Sequence, residues 1–254
     1  MLNKSFLQAL AVVAGFTALQ ANAVIITNGS FEDGVDGTLV YGHAYDQLAT
    51  NDPNLQWGVY TGLIGWQKIN PNVTGAELNY SGNLGFDAKY GNHYLELDTH
   101  FDYANPGNSN SGIMQNLTNL TAGATYELSF WYRARTDIAD SNGINIFWQD
   151  GSNPLDMNNV FDKVDLDLAK GNLTNWVEYK FNVKATSSTM NLGFAAFGDA
   201  VWAKNTQYNP NNVGNGDAKG GLMDGIAMKQ VPAPAPFALF GLAAVALLAR
   251  RRKV

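Results

Sequence analysis

The chain has 254 residues, of which 46% are hydrophobic and 15% charged, with 26 glycines, 6 tryptophans and no cysteine. Without cysteine there are no disulfides, no thiolate nucleophile and no Cys-ligated zinc or iron. The 16 Lys and Arg against 22 Asp and Glu leave a net charge of −6, a balance that opposes nucleic acid and anionic lipid surfaces, since both require a cationic face.

At the N-terminus Lys4 supplies a positive n-region, residues 6–18 an apolar h-region, and Ala21-Asn22-Ala23 an A-x-A cleavage site before Val24. Residues 1–23 therefore read as a secretory signal peptide. Five cations, Lys4, Arg250, Arg251, Arg252 and Lys253, lie in the two terminal segments, which leaves 11 basic residues against 22 acidic ones over residues 24–230. That central stretch of roughly 200 residues is long enough for one β domain with a sizeable core.

Within it, Gly, Asn, Asp and Ser punctuate short runs whose apolar residues alternate with a period of two, which predicts strands and turns rather than helices. Residues 36–60 are long and weakly patterned, and a loop of that size is either functional or mobile. His93, Leu95 and Leu97 then alternate with Tyr94, Glu96 and Asp98. Residues 99–111 form a second long loop. Over residues 125–135, Tyr126, Leu128, Phe130 and Tyr132 share one face, with Glu127, Ser129, Trp131, Arg133 and Arg135 on the other. Further strands are marked by Ile144, Ile146 and Trp148, by Val177, Tyr179, Phe181 and Val183, and by Met190, Leu192, Phe194 and Ala196. No fixed repeat period emerges. The pattern predicts an all-β antiparallel β-sandwich, most simply a jelly roll, preceded by the signal helix and followed by a C-terminal hydrophobic helix.

That last segment, residues 231–254, opens on Val231-Pro232-Ala233-Pro234-Ala235-Pro236, continues as an apolar run over residues 237–249 and ends on Arg250-Arg251-Arg252-Lys253-Val254. The run rises about 20 Å as a helix against a hydrocarbon core of about 30 Å, which suits transient membrane insertion better than permanent anchoring. The prolines keep the preceding strip extended and the cations are retained on the cytoplasmic side. This tail resembles the PEP-CTERM sorting signal of Gram-negative bacteria, with Val231, Pro232, Pro234, Arg250, Arg251 and Arg252 as its matching positions and Ala233 where that family usually has Glu. The resemblance implies an exosortase-type membrane partner and a destination at the cell envelope or in the extracellular matrix. An ordinary tail anchor is the alternative.

Between the two terminal segments, Thr27-Asn28-Gly29-Ser30-Phe31-Glu32 resembles the opening of galactose-binding-like jelly rolls common among bacterial carbohydrate-binding modules. Gly65-Trp66, Gln115-Asn116-Leu117, residues 122–131, Trp176 and Leu222-Met223-Asp224-Gly225-Ile226 follow in that family's order. The resemblance implies a structural calcium ion at the carboxylates Glu32 and Asp224, with backbone carbonyls and waters completing six to eight oxygens. Equally, the two are turn carboxylates that accept backbone amides.

Aromatic rings offer a face to the C–H surface of a sugar. Trp131, flanked by Arg133 on the strand face opposite the apolar one, is the first candidate, and Trp57 and Trp66 bracket the first long loop as its rim. Alternatively Trp131 caps a second apolar layer under a loop. Trp148, Trp176 and Trp202 are assigned to the core or strand ends. No H-E-x-x-H, G-x-S-x-G, P-loop or Rossmann pattern occurs, and His43, His93 and His100 include no pair at metal-ligand spacing on one element. The residues favour a non-enzymatic exported protein that binds extracellular polysaccharide. The alternatives are a matrix glycan hydrolase, for which Glu96 or Glu127 would have to face a cleft beside a second carboxylate, and a structural surface protein with no sugar ligand.

Overall fold

The computed structural model describes residues 23–24, 26–49, 52–69, 75–99, 110–138, 141–197 and 219–232. Ala21 with the signal helix, Pro234, Arg250, Arg251 and Arg252 with the hydrophobic segment, and also His100 and Trp202, lie outside the described residues.

In chain order the strands are β1 (Ala23–Val24), β2 (Leu39–Gly42), β3 (Trp57–Tyr60), β4 (Gly62–Leu63), β5 (Trp66–Lys68), β6 (Ala76–Tyr80), β7 (His93–Glu96), β8 (Gly112–Leu117), β9 (Thr125–Arg133), β10 (Gly143–Asp150), β11 (Asp162–Val164), β12 (Val177–Lys184), β13 (Met190–Phe197) and β14 (Leu222–Gln230). They form two antiparallel sheets. One has eight strands in the order β12-β9-β14-β7-β6-β3-β2, with β1 paired to β14, and the other six in the order β11-β10-β13-β8-β5-β4. From β8 onward the chain passes repeatedly between the sheets, as a jelly roll requires. The molecule is an all-β antiparallel sandwich.

The alternation read in residues 125–133 is the alternation of the fold: Tyr126, Leu128, Phe130 and Tyr132 point into the sandwich and are buried. Phe130 stacks on Tyr179 and Phe181 of β12 at 6.1 and 6.0 Å and meets the edge of Phe194 of β13 at 5.3 Å. Each such side chain contributes about 1.5–3 kcal/mol by leaving water.

Three expectations are corrected. Residues 36–60 are not a structureless loop, because β2 and β3 pair there at the edge of the eight-stranded sheet. Gly42 and Gly58 break the side-chain alternation that would have betrayed them, and Gly42 adopts φ +83. The strand over residues 125–135 stops at Arg133, so Arg135 leaves the sheet face. Finally β7 is buried on both faces rather than one.

The six-stranded sheet is also covered on its outer side. Ile69, Met114, Phe147 and Ala195 form a second apolar cluster there, with Leu155 packed against it. Residues 151–161 lie over this cluster and are held by side-chain amides: Gln149 Nε2 donates to the carbonyls of Asp156 (2.7 Å) and Asn159 (2.8 Å), and Asn191 Nδ2 to that of Asn153 (2.9 Å).

One irregularity shapes the site. The pairing of β14 with β9 shifts register between Asp224 and Ala227, with Gly225 at φ +60, the signature of a bulge that re-aims the flanking side chains. The bulge also lets the Ile226 amide donate to the Gly29 carbonyl at 2.8 Å. A Cβ on Gly29 would collide with the Ile226 carbonyl oxygen, so the close approach requires glycine there.

Candidate functional site

Residues 81–92, between β6 and β7, cross the outer face of the eight-stranded sheet and are held by it at successive points. Phe86 lies beneath the Arg133 guanidinium at 4.4 Å. Trp176 Nε1 donates to the Asp87 carbonyl at 2.8 Å, and its ring meets Tyr94 edge-on at 6.0 Å. Lys89 places its ammonium 3.7 Å above the Trp131 ring, and Tyr90 meets the same indole edge-on at 6.4 Å.

Two carboxylates fix the far end of this crossing. Asp224 Oδ2 accepts the amides of Lys89 (2.7 Å) and Tyr90 (2.8 Å), and its Oδ1 accepts that of Gly225 (2.6 Å). Glu32 Oε1 accepts the amides of Asn92 (2.8 Å) and His93 (2.6 Å), while Oε2 lies 2.9 Å from His93 Nδ1. Burial first, and then the nearby charge of Glu32, pushes the Asp224 carboxyl up to about 7 against the pull of the three amides.

Beside the crossing lies an open pocket of about 380 Å³, whose walls include Ser30, Tyr90, Ser129, Trp131, Glu178 and Gly225. Trp131 is half-buried in it. An indole, a phenol, two hydroxyls and a carboxylate around one concavity suit a hydroxyl-rich ligand with apolar C–H faces. Lys180 holds Glu178 at 3.0 Å.

Sequence reasoning placed Trp131 and Arg133 correctly on the outer face. It missed Phe86, Lys89 and Tyr90, which come from a segment without strand periodicity. The signal within it was Lys89-Tyr90-Gly91. Gly91 has φ +63, and a Cβ there would lie 2.5 Å from the Glu32 carboxyl carbon.

Trp66 is corrected. It is only 2% exposed, packs between Phe31 and Phe194 at 6.3 and 6.1 Å, and donates Nε1–H to the Asn28 carbonyl at 3.1 Å. No ring face is left for a sugar. Trp57 packs tilted against Tyr41 at 5.6 Å in the β2–β3 edge pair, four strand positions from β9 and so roughly 19 Å from Trp131. The rim expected from Trp57 and Trp66 does not form, because one indole is core and the other stands at the far edge.

Arg135 is also corrected, since it does not share the open face with Arg133. Its guanidinium bonds Glu96 Oε1 at 2.5 Å, and Glu96 is fully buried. Glu96 also accepts the Gly220 amide at 2.7 Å. Glu77 is the cross-strand partner of Glu96 and is buried too. Glu127 pairs with Lys229 at 2.9 Å at the other end of β9. Neither glutamate faces an open cleft beside a second carboxylate.

Among the described residues, no cluster of three or more His, Cys, Asp or Glu is placed to hold a metal ion. Glu32 and Asp224 are hard oxygen donors of the kind calcium takes, and neither has a Lys or Arg partner among the described residues. A calcium ion there would need carbonyls and water for its remaining ligands.

Comparison with protein-family models gives no match, and comparison with curated proteins gives none. Among solved structures, the chain is similar to the CBM22-1 xylan-binding domain of Paenibacillus barcinonensis Xyn10C, at 13% identity and a TM-score of 0.41, with 86% of this chain and 100% of that one covered. The module TmCBM61, solved with β-1,4-galactotriose, gives 12% identity and a TM-score of 0.38 over 83% and 100% of the two chains. The K2 cleaved adhesin domain of Lys-gingipain gives 13% and 0.42 over 67% and 91%. Likenesses this distant say nothing of ligand, and the fold assignment rests on the two antiparallel sheets themselves.

Proposed function

We propose that the protein is a non-enzymatic, exported β-sandwich that binds extracellular polysaccharide on the outer face of its eight-stranded sheet, in the pocket built on Trp131. The observation that carries this is the concavity itself: an indole and a phenol set among Ser30, Ser129 and Glu178, on a face where alternation alone would put small polar side chains. Residues 1–23 and 231–254 support export and sorting by an exosortase-type partner to the cell envelope or matrix of a Gram-negative bacterium, with the C-terminal segment inserted transiently in the membrane. A calcium ion at Glu32 and Asp224 belongs to the same proposal and is supported by their proximity beneath one turn, with no Lys or Arg paired to either among the described residues. Its place would be structural, securing the crossing that carries Lys89 and Tyr90.

Depletion of the full chain from solution by a panel of immobilised bacterial exopolysaccharides tests the binding. Retention on at least one glycan, lost in Trp131→Ala while the variant stays folded, is expected. Retention on none would leave a structural surface protein as the better description.

A further inference from the structure

On the outer face of the eight-stranded sheet, Glu178 holds Lys180 and Glu127 holds Lys229. Three further cations on or over that face have no such acid. Among the described residues, Arg133, Lys89 and Lys184 form no ion pair, and Arg133 and Lys89 stand together beside Trp131. In a chain with more acids than bases, unpaired cations on one patch are not a by-product of excess positive charge.

The two are also held in place. Arg133 holds its guanidinium over the Phe86 ring at 4.4 Å, and its Nε is buried without a hydrogen-bond partner. Burial holds its guanidinium below the ordinary range against the opposing influence of Tyr94 and Asp87, so the cation sits in a partly dry setting without an ion-paired acid. The acid that bears on it electrostatically, Asp87, forms no ion pair with it, and the Asp87 carbonyl is taken by Trp176. Lys89 is anchored through its own amide to Asp224, with its ammonium over the indole. Arg133 and Trp131 are two residues apart on β9, so their side chains emerge on one face about 6.6 Å apart.

We infer that the polysaccharide bound at the Trp131 pocket is anionic, and that Arg133 and Lys89 receive its carboxylates while the sugar backbone lies against Trp131 and Tyr90. The inference rests on the proposed glycan-binding role of that pocket and adds the class of ligand. A planar guanidinium held over an aromatic ring still has N–H groups at its edge, and a carboxylate can accept two of them in bidentate fashion. Glu178 does not oppose this, because Lys180 already neutralises it. Neutral glycans would leave both cations unpaired and so bind more weakly.

The test is calorimetric titration of the full chain with polygalacturonate, with the same polymer methyl-esterified, and with a neutral β-1,4-galactan. The expected result is that methyl esterification weakens binding at least tenfold, that Arg133→Gln and Lys89→Gln each weaken binding to polygalacturonate by about tenfold, and that neither changes the residual binding of the ester. Each variant's melting temperature checks that it folds, and Lys89→Gln keeps the test open if Arg133→Gln does not. Binding that ignores esterification and both substitutions, yet disappears in Trp131→Ala, would overturn the anionic ligand and leave the glycan site standing. Binding of none of the three polymers would overturn both.

Discussion

Glu32 and Asp224, from opposite ends of the described chain, hold the same turn: one accepts the amides of Asn92 and His93, the other those of Lys89 and Tyr90. Glu32 follows the buried knot at Asn28 and Phe31, and Asp224 precedes the bulge of β14. Together they fix the residues that bring Lys89 and Tyr90 onto Trp131. The two substitutions Glu32→Ala and Asp224→Ala should each cost about 2–4 kcal/mol, the range for several charge-assisted hydrogen bonds left unmade. Since both release one turn, the double variant should lose clearly less than the sum. Denaturant unfolding of the four proteins measures this, and strict additivity would show that the carboxylates act independently.

Stability should fall as pH rises through neutrality. Asp224 titrates near 7 in the folded protein because it is buried beside Glu32, whereas an unfolded Asp titrates near 3.9. Between roughly pH 4 and 7 the folded state therefore keeps a proton that the unfolded chain has released. That stabilisation is complete below pH 4 and is lost as pH climbs through 7. With chelator present, the melting temperature should drop between pH 5 and 8 and the drop should shrink in Asp224→Asn. A melting temperature that rises over this window would show that Asp224 is ionised throughout.

Calcium should reverse that loss. If Glu32 and Asp224 hold the ion, added calcium raises the melting temperature most at pH 8, where Asp224 has given up its proton, and least at pH 5, where it keeps it. No calcium response in the parent protein, or an undiminished one in Glu32→Ala, would remove the metal from the description.

The buried pair of Arg135 and Glu96 is structural. Breaking it by Arg135→Met should cost about 3–5 kcal/mol, because a fully buried carboxylate loses its guanidinium, while Arg135→Met combined with Glu96→Leu should recover part of the loss. Glycan binding per folded molecule should not change in either, and equilibrium unfolding alongside a binding assay separates the two effects.

Sequence pattern exposed the sandwich most directly where a strand buries one face, as in β9 and β12, because a period of two then appears. It found β7 but not that this strand is covered on both sides, and it failed at β2 and β3, where Gly42 and Gly58 interrupt the alternation. The outer position of Trp131 followed from the neighbours of Tyr132 and Phe130. Lys89, Tyr90 and Phe86 could not be found that way. They reach the site through carboxylates distant in sequence, and no local periodicity encodes such a contact. Trp66 misled for a related reason: a tryptophan in a Gly-Trp turn looks exposed until Phe31 and Phe194 are known to enclose it.

The most direct measurement is a fluorescence titration of the full chain with the glycan it retains best, comparing the parent with Trp131→Phe and Trp57→Phe. Binding at the proposed pocket predicts a saturable change in indole emission that disappears in Trp131→Phe and persists in Trp57→Phe. A response that survives in Trp131→Phe and vanishes in Trp57→Phe would place the ligand at the β2–β3 edge and contradict the site described here.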